Sequence, residues 1–273
     1  MPEKPEVMTV VKKLDPMIIG RKITGCNIYY NNIISEPSLE EFKKKIIGER
    51  INNIKSIGKY IVIDLDKYNL LIHLRMEGKF TFRNIQDEIN KHEHVEFILD
   101  GDTSWRYHDV RKFGKMYLKD KDKLLNTKPL VNIGKDYYDE SLNGDYLYDK
   151  IKMKNTYIKN VLLDQSIIAG IGNIYADEIL FKSGISPLRR CNKISKKKCD
   201  EIVSNTRKVL DSAYKLGGTT IKSFTSSEGV HGLFQNELEV HGKVGEKCPK
   251  CGNIIKKIRV GGRGTYYCSN CQK

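Results

Sequence analysis

Residues 59–76 read KYIVIDLDKYNLLIHLRM, two apolar runs parted by a polar Asp-Lys step. Side chains that are β-branched or aromatic fit an extended, half-buried backbone, and runs this short fall below ordinary helix length, so the pattern predicts a pair of strands. Similar runs flank it: ITGCNIYY from Ile23, KFTF from Lys79, HVEFILD from His94 and MYLK from Met116. Gly, Asn and Asp separate them. Short strands so closely spaced across Lys22 to Lys119 predict a β-sandwich or barrel, built largely from antiparallel strands.

Ahead of this region Val7, Val10, Val11 and Leu14 recur at helical spacing and Gly20 supplies a stop, which predicts an amphipathic helix with one buried face. Pro5 and Glu6 suit its first turn. Pro2 and Glu3 are left without a helical reason. Beyond the strands a polar connection from Asn126 to Asp145, with Pro129, Gly134 and Gly144, marks a domain boundary. Helices are expected over Asp145–Lys152, Thr156–Gln165, Asn173–Lys182 and Ser195–Leu216, the last ended by Gly217-Gly218. The Ser/Thr/Gly-rich stretch from Thr219 to Glu237 has no period and is expected to be a mobile loop. No internal repeat is present.

The chain of 273 residues carries a formal charge of +14, enough for a sizeable core and suited to an acidic polymer, with nucleic acid first and an anionic membrane surface second. General enrichment in Lys, Asn, Ile and Tyr discounts part of that charge. No run approaches the roughly 18 to 20 apolar residues of a membrane span, and a signal-peptide pattern is missing, so the expectation is a cytoplasmic protein without a membrane role. Four of the seven cysteines form Cys248-Pro-Lys-Cys251 and Cys268-Ser-Asn-Cys271, sixteen residues apart. Two such turns can present four thiolates to one ion, predicting one structural Zn2+ in a ribbon with no open coordination position. Between them IIKKIRVGGRGTYYC carries Lys256, Lys257, Arg259 and Arg263 about a Gly-rich tip, either a solvated turn or a phosphate contact.

Other segments carry two readings each. In HDVRKFGKM, from His108, Phe113 is either a core residue of the next strand or, with Arg111, a wedge able to enter a base stack. Met76 in HLRMEG is a core residue or a probe. Gly170 and Gly172 in AGIGNIYADEIL open a helix suited to an anion, whereas a dinucleotide fingerprint is excluded because no strand precedes it. Lys59 alone would be a lysine snorkelling from a strand edge.

In order, MPEKPEV, GKY, HLRMEG, KHEHV, DVRKFG, GIGNIYADE, GGTT and the four-cysteine ribbon resemble the formamidopyrimidine-DNA glycosylase family from residue 1 to 273. The resemblance implies an α+β multidomain fold: an N-terminal helix with an antiparallel β-sandwich (1–125), a linker (126–144), a helix-two-turn-helix DNA-binding domain (145–236) with a lesion-capping loop at 219–235, and a C-terminal β-hairpin zinc ribbon (237–273). It implies a bifunctional base-excision-repair glycosylase and lyase for oxidised purines. Pro2, freed of Met1, would attack the sugar C1′, with Glu3 as general acid/base, Lys59 in the same pocket, Arg263 assisting late elimination and Glu6 supporting the cluster. An α-amine has an ordinary pKa of about 7.7–8.0, against about 10.4 for lysine, so a useful fraction of it is free base near neutrality. Met76, Arg111 and Phe113 correspond to an intercalating set, and His92, Lys154, Lys159, Asn173 and Arg263 to phosphate contacts.

The implied partner is damaged double-stranded DNA, bound by a monomer with zinc and no small-molecule cofactor, in the cytoplasm at a bacterial nucleoid. Two positions depart from the family pattern. Lys4 replaces a leucine, either weakening the opening turn or adding a phosphate contact, and His241 replaces a tyrosine. The rivals are the sister endonuclease eight type, directed to oxidised pyrimidines, and a zinc-ribbon DNA binder without catalysis, for which a free Pro2 amine has no use.

Overall fold

A computed structural model of the chain describes residues 1–219 and 232–273. Along it run α1 (Lys4–Ile18), β1 (Ile23–Ile28), β2 (Ile34–Glu36), α2 (Leu39–Ile46), β3 (Ile51–Ile57), β4 (Tyr60–Leu65), β5 (Tyr68–His73), β6 (Lys79–Asn84), β7 (Glu93–Leu99), β8 (Thr103–His108) and β9 (Lys115–Asp120). There follow β10 (Lys135–Asp136), α3 (Gly144–Ile151), α4 (Ile158–Leu163), β11 (Ile168–Ala169), α5 (Asn173–Lys182), α6 (Lys196–Lys215), β12 (Lys256–Val260) and β13 (Arg263–Tyr267). Two compact units result. One comprises Met1–Val131 with Gly217–Gly232, the other Asn132–Leu216 with Leu233–Lys273.

In the first unit the quoted stretch forms β4 and β5, antiparallel with Tyr60 opposite His73 and Asp64 opposite Asn69. They lie in a sheet ordered β2-β9-β5-β4-β3, and a second sheet runs β1-β7-β8-β6. Because side chains alternate across a strand, Ile61, Ile63 and Leu65 of β4 and Leu70 and Ile72 of β5 turn into the core shared with Phe80, Phe97 and Trp105 of the other sheet. Helix α1 adds Val7, Val10, Leu14 and Ile18 to that core. The expected sandwich is therefore present.

Its pairing is antiparallel except for β2 beside β9. Helix α2 departs from the expected run of strands. Ser38 caps it through Glu41 N, Glu40 and Glu41 occupy its first turn, and only Phe42 and Ile46 are buried, too few apolar positions to announce a period.

The second unit contains the four expected helices, of which Asn173–Lys182 and the long α6 match the expected spans closely. Ser195 caps α6 through Lys198 N. Helix α4 is shorter than expected because the chain turns at Asp164, and the Gln165 side chain then bonds Ile171 O and Gly170 N, ordering the approach to α5. A two-residue strand, β11, does precede the glycines and pairs parallel with β10, correcting the expectation of none. β12 and β13 form the antiparallel hairpin. Among the described residues no helix is long and apolar enough to cross a membrane.

Candidate active site

Helix α1 begins at Lys4, with Glu3 at its N-cap and Pro5 in the first turn. The Glu6 carboxylate in that turn is held by backbone N–H groups. The Glu3 N–H donates to Glu6 Oε2 at 2.8 Å, and Glu6 Oε1 accepts the Thr219 N–H at 2.7 Å. Gly218 takes φ +82°, and a Cβ there would run into the Glu6 carboxylate. The GGTT motif thus places backbone against the Glu6 carboxylate, a contact no local pattern signals.

Pro2, Glu3 and Glu6 are buried, as is Lys59, which sits with Gly58 in the two-residue turn joining β3 to β4. The Met1 amine is held below its ordinary 8.0, first by burial and then by the positive charges of Lys59 and Arg111, while Glu3 and Glu6 oppose the shift. Amine, two carboxylates and two cations therefore share one electrostatic neighbourhood, in which burial favours the free base. Alongside, His73 is pushed down to about 3 by burial, then by Arg75 and Lys59. It stays neutral, its Nδ1 accepting from Arg75 N at 3.0 Å. Sequence reading passed over His73 as the mere start of a motif.

Met76 is half-buried and Arg111 exposed, while Phe113 is 49% exposed in the loop before β9. That exposure decides against Phe113 as a core residue. The Arg111 guanidinium lies 4.8 Å from the centre of its ring. His92 is half-buried with Nδ1 unpartnered among the described residues, its ring 5.6 Å from that of His108.

In the second unit Lys154 is exposed, as is Arg263, which opens β13 after Gly261 and Gly262 at φ +55° and +76°. Asn173 heads α5 and donates from Nδ2 to Gly264 O at 2.8 Å, fastening the helix start to the hairpin. Lys159 departs from the expected phosphate contact. Its side chain is wholly buried, ion-paired to Asp177 and donating to Asn173 O at 3.2 Å, with His241 Nδ1 2.7 Å from the other Asp177 oxygen. A cation enclosed this way supports Asn173 instead of facing solvent. The neighbouring Glu178 accepts the backbone N–H groups of Glu239, Val240 and His241. Lys4 likewise is buried, its Nζ donating to Ser56 O at 3.0 Å, so it adds no phosphate contact.

The sulfurs of Cys248, Cys251, Cys268 and Cys271 lie within 4.8 Å of one another, a separation compatible with four Zn–S bonds of about 2.3 Å. The backbone N–H of Asn253 and the side chain of Asn270 lower the Cys251 thiol to about 6, while its hydrogen bond to Cys271 raises that thiol to about 12. All four ligands are protein thiols. The arrangement suits one structural zinc ion. Most of the expected lesion-capping loop, 219–235, lies outside the described residues.

Comparison with known proteins agrees over the whole chain. Residues 1–116 match the formamidopyrimidine-DNA glycosylase N-terminal domain, 122–225 its H2TH domain, and 245–273 a zinc finger found in FPG and IleRS. The formamidopyrimidine-DNA glycosylase of Oceanobacillus iheyensis is 42% identical over 273 residues, covering 100% of this chain and 98% of that protein. A Lactococcus lactis FPG variant solved with Fapy-dG-containing DNA superposes with a TM-score of 0.93 at 36% identity, covering 100% of both chains. MutM in complex with carbocyclic 8-oxo-G-containing DNA gives 0.92, again at 36% identity and 100% coverage of both. With its helix-led sandwich, its helical H2TH region and its four-thiol ribbon, this chain belongs to the formamidopyrimidine-DNA glycosylase family of DNA-repair enzymes.

Proposed function

We propose that the protein excises oxidised purines, 8-oxoguanine and formamidopyrimidines, from duplex DNA and then cleaves the strand at the resulting abasic sugar. The observation that carries this reading is that Glu3, Glu6 and Lys59, all buried, and Arg111 act electrostatically on the N-terminal amine. While Met1 is attached, the Pro2 nitrogen is an amide and has no nucleophilic lone pair. Removal of Met1 makes it a secondary amine, and surroundings that favour free base at Met1 would favour it there also.

That nitrogen attacks C1′ as the C1′–base bond breaks, the departing base taking a proton. Glu3 protonates the ring oxygen, opening the sugar to a cationic iminium. With the iminium as electron sink, loss of the C2′ proton breaks the C3′–O bond, and a second elimination breaks the C5′–O bond. Lys59 assists the first bond cleavage, Arg263 the last, and Glu6 holds Glu3. Met76, Arg111 and Phe113 fill the gap left by the everted nucleotide, with Arg111 facing the widowed base. His92, Lys154, Asn173 and Arg263 bind phosphates, Asn173 being steadied by Lys159.

The relatives support the substrate class: one is solved with Fapy-dG-containing DNA and another with carbocyclic 8-oxo-G-containing DNA. Borohydride present during reaction with an 8-oxoguanine duplex is expected to trap a covalent adduct at the N-terminal peptide. A cleaved duplex with no adduct overturns the amine mechanism.

A further inference from the structure

The turn carrying Met76 and the loop carrying Phe113 rest on the same buried pair. Asp109, wholly buried just after β8, spends both carboxylate oxygens on the following loop: Oδ1 accepts Arg111 N at 3.0 Å, and Oδ2 accepts Phe113 N at 2.9 Å and Gly114 N at 2.8 Å. Lys112, within that loop, adopts φ +58°, a left-handed conformation that a lysine takes only when its surroundings impose it. The Tyr107 hydroxyl, also buried, reaches Asp109 Oδ2 at 3.5 Å. Burial, with the charge of Asp109, keeps this phenol protonated far above ordinary pH, so it is a donor.

The two segments close over that hydroxyl from different parts of the chain. A Cβ at Gly114 would overlap it, and so would a Cβ at Gly78. Gly78 N in turn bonds Leu74 O at 3.0 Å, shutting the turn that presents Met76, where Arg75 is left-handed at φ +56°. Neither glycine has a left-handed φ. Both are required for closeness alone.

We infer that Tyr107 and Asp109 are positioning residues for the wedge, fixing Arg111 and Phe113 in register with Met76 so that the three side chains enter the duplex as one body. This rests on the reading of those three as the intercalating set. Neither buried residue is required to touch DNA. A carboxylate suits Asp109 because three N–H donors converge on two acceptor oxygens, whereas an asparagine would have to aim its own NH2 at one of those donors.

The test uses full-length protein and an 8-oxoguanine duplex with 2-aminopurine beside the lesion, read by stopped-flow fluorescence and single-turnover excision. Asp109→Asn is expected to lose the fluorescence rise and to slow excision by about 10²-fold, the scale of a small misplacement, while its affinity for undamaged duplex stays within about 2-fold. Asp109→Asn combined with Phe113→Ala should be no slower than the slower single variant, since both disable one device. Multiplying losses, or a normal fluorescence trace with Asp109→Asn, overturns the inference. If Asp109→Asn does not fold, Tyr107→Phe, which retains the ring, is expected to damp the fluorescence rise and slow excision by about 5-fold; an unchanged trace there also overturns it. Wild-type protein that leaves the lesion in place overturns the functional reading itself, whereas active wild type with an indifferent Asp109→Asn removes only the positioning role.

Discussion

The N-terminal charged cluster and the C-terminal ribbon both present charge, yet they are built by opposite means. Around the first, the helix and two sheets supply an extensive apolar core, and the charges of Glu3, Glu6 and Lys59 are buried at its margin. Among the described residues the ribbon packs around a cluster of five buried ones, Phe181, Val240, Cys248, Ile255 and Cys268, while Lys256, Lys257, Arg259 and Arg263 stay exposed. Enclosing a charge costs desolvation, which a large core and reciprocal hydrogen bonds can offset. A small hairpin cannot do this, so its cations remain solvated and its fold depends on metal–thiolate bonds.

The difference can be broken hardest at the metal. Zinc binding supplies about 10–16 kcal/mol of folding free energy in small zinc-finger peptides, so chelation or Cys268→Ser should collapse the ribbon and weaken DNA binding. The β-sandwich signal in circular dichroism should persist; unchanged DNA affinity would separate the ribbon from the interface.

The N-terminal cluster should respond in reverse. Glu3→Gln is expected to cut single-turnover excision by about 10²–10⁴-fold, the usual contribution of general acid–base catalysis, with the salt dependence of DNA binding preserved. Parallel loss of both would identify Glu3 as a binding group instead.

Acid should also distinguish the two regions. His73 titrates near 6.5 when unfolded and at about 3 when folded, so the unfolded chain takes up the proton first. Its contribution is complete above pH 6.5 and is lost as pH falls from there toward 3, at about 1.4 kcal/mol per unit of pH. Stability of His73→Gln should therefore fall less steeply over that range, measured by urea unfolding at several pH values; parallel curves would contradict the burial of a neutral ring.

Arg263→Ala, on the exposed side of the comparison, should lower affinity evenly across sequences and reduce the salt slope by about 1. Lys4→Leu is expected to be smallest. Exchanging one buried, hydrogen-bonded cation for a packed apolar chain should shift stability by about 1 kcal/mol or less in either direction in thermal unfolding. A large loss would give Lys4 a role beyond its bond to Ser56.

Local chemistry was legible where the cause is local. Ser195 and Gly217-Gly218 bracket α6, the paired CxxC turns specify a metal, and the Ile- and Val-rich runs form the sandwich. Helix α2 was hidden because two buried positions make no stripe. The burial of Lys159 and Lys4 is tertiary in origin: a lysine looks solvated in sequence, and only the fold brings Asp177 to one and the Ser56 carbonyl to the other. The company of Lys59 was visible only through resemblance, since the N-terminus and the β3–β4 turn share no local pattern.

The bond from Thr219 to Glu6 bears on how the protein is made. A ribosome emits Glu6 early and Thr219 only after α3 to α6 have been synthesised. The sandwich can collapse meanwhile, but one oxygen of the carboxylate that steadies Glu3 must wait for a donor from the far side of α6. A nascent chain halted before Gly217 would therefore carry Pro2, Glu3 and Lys59 in an unfinished setting, and completion of this end would depend on elongation.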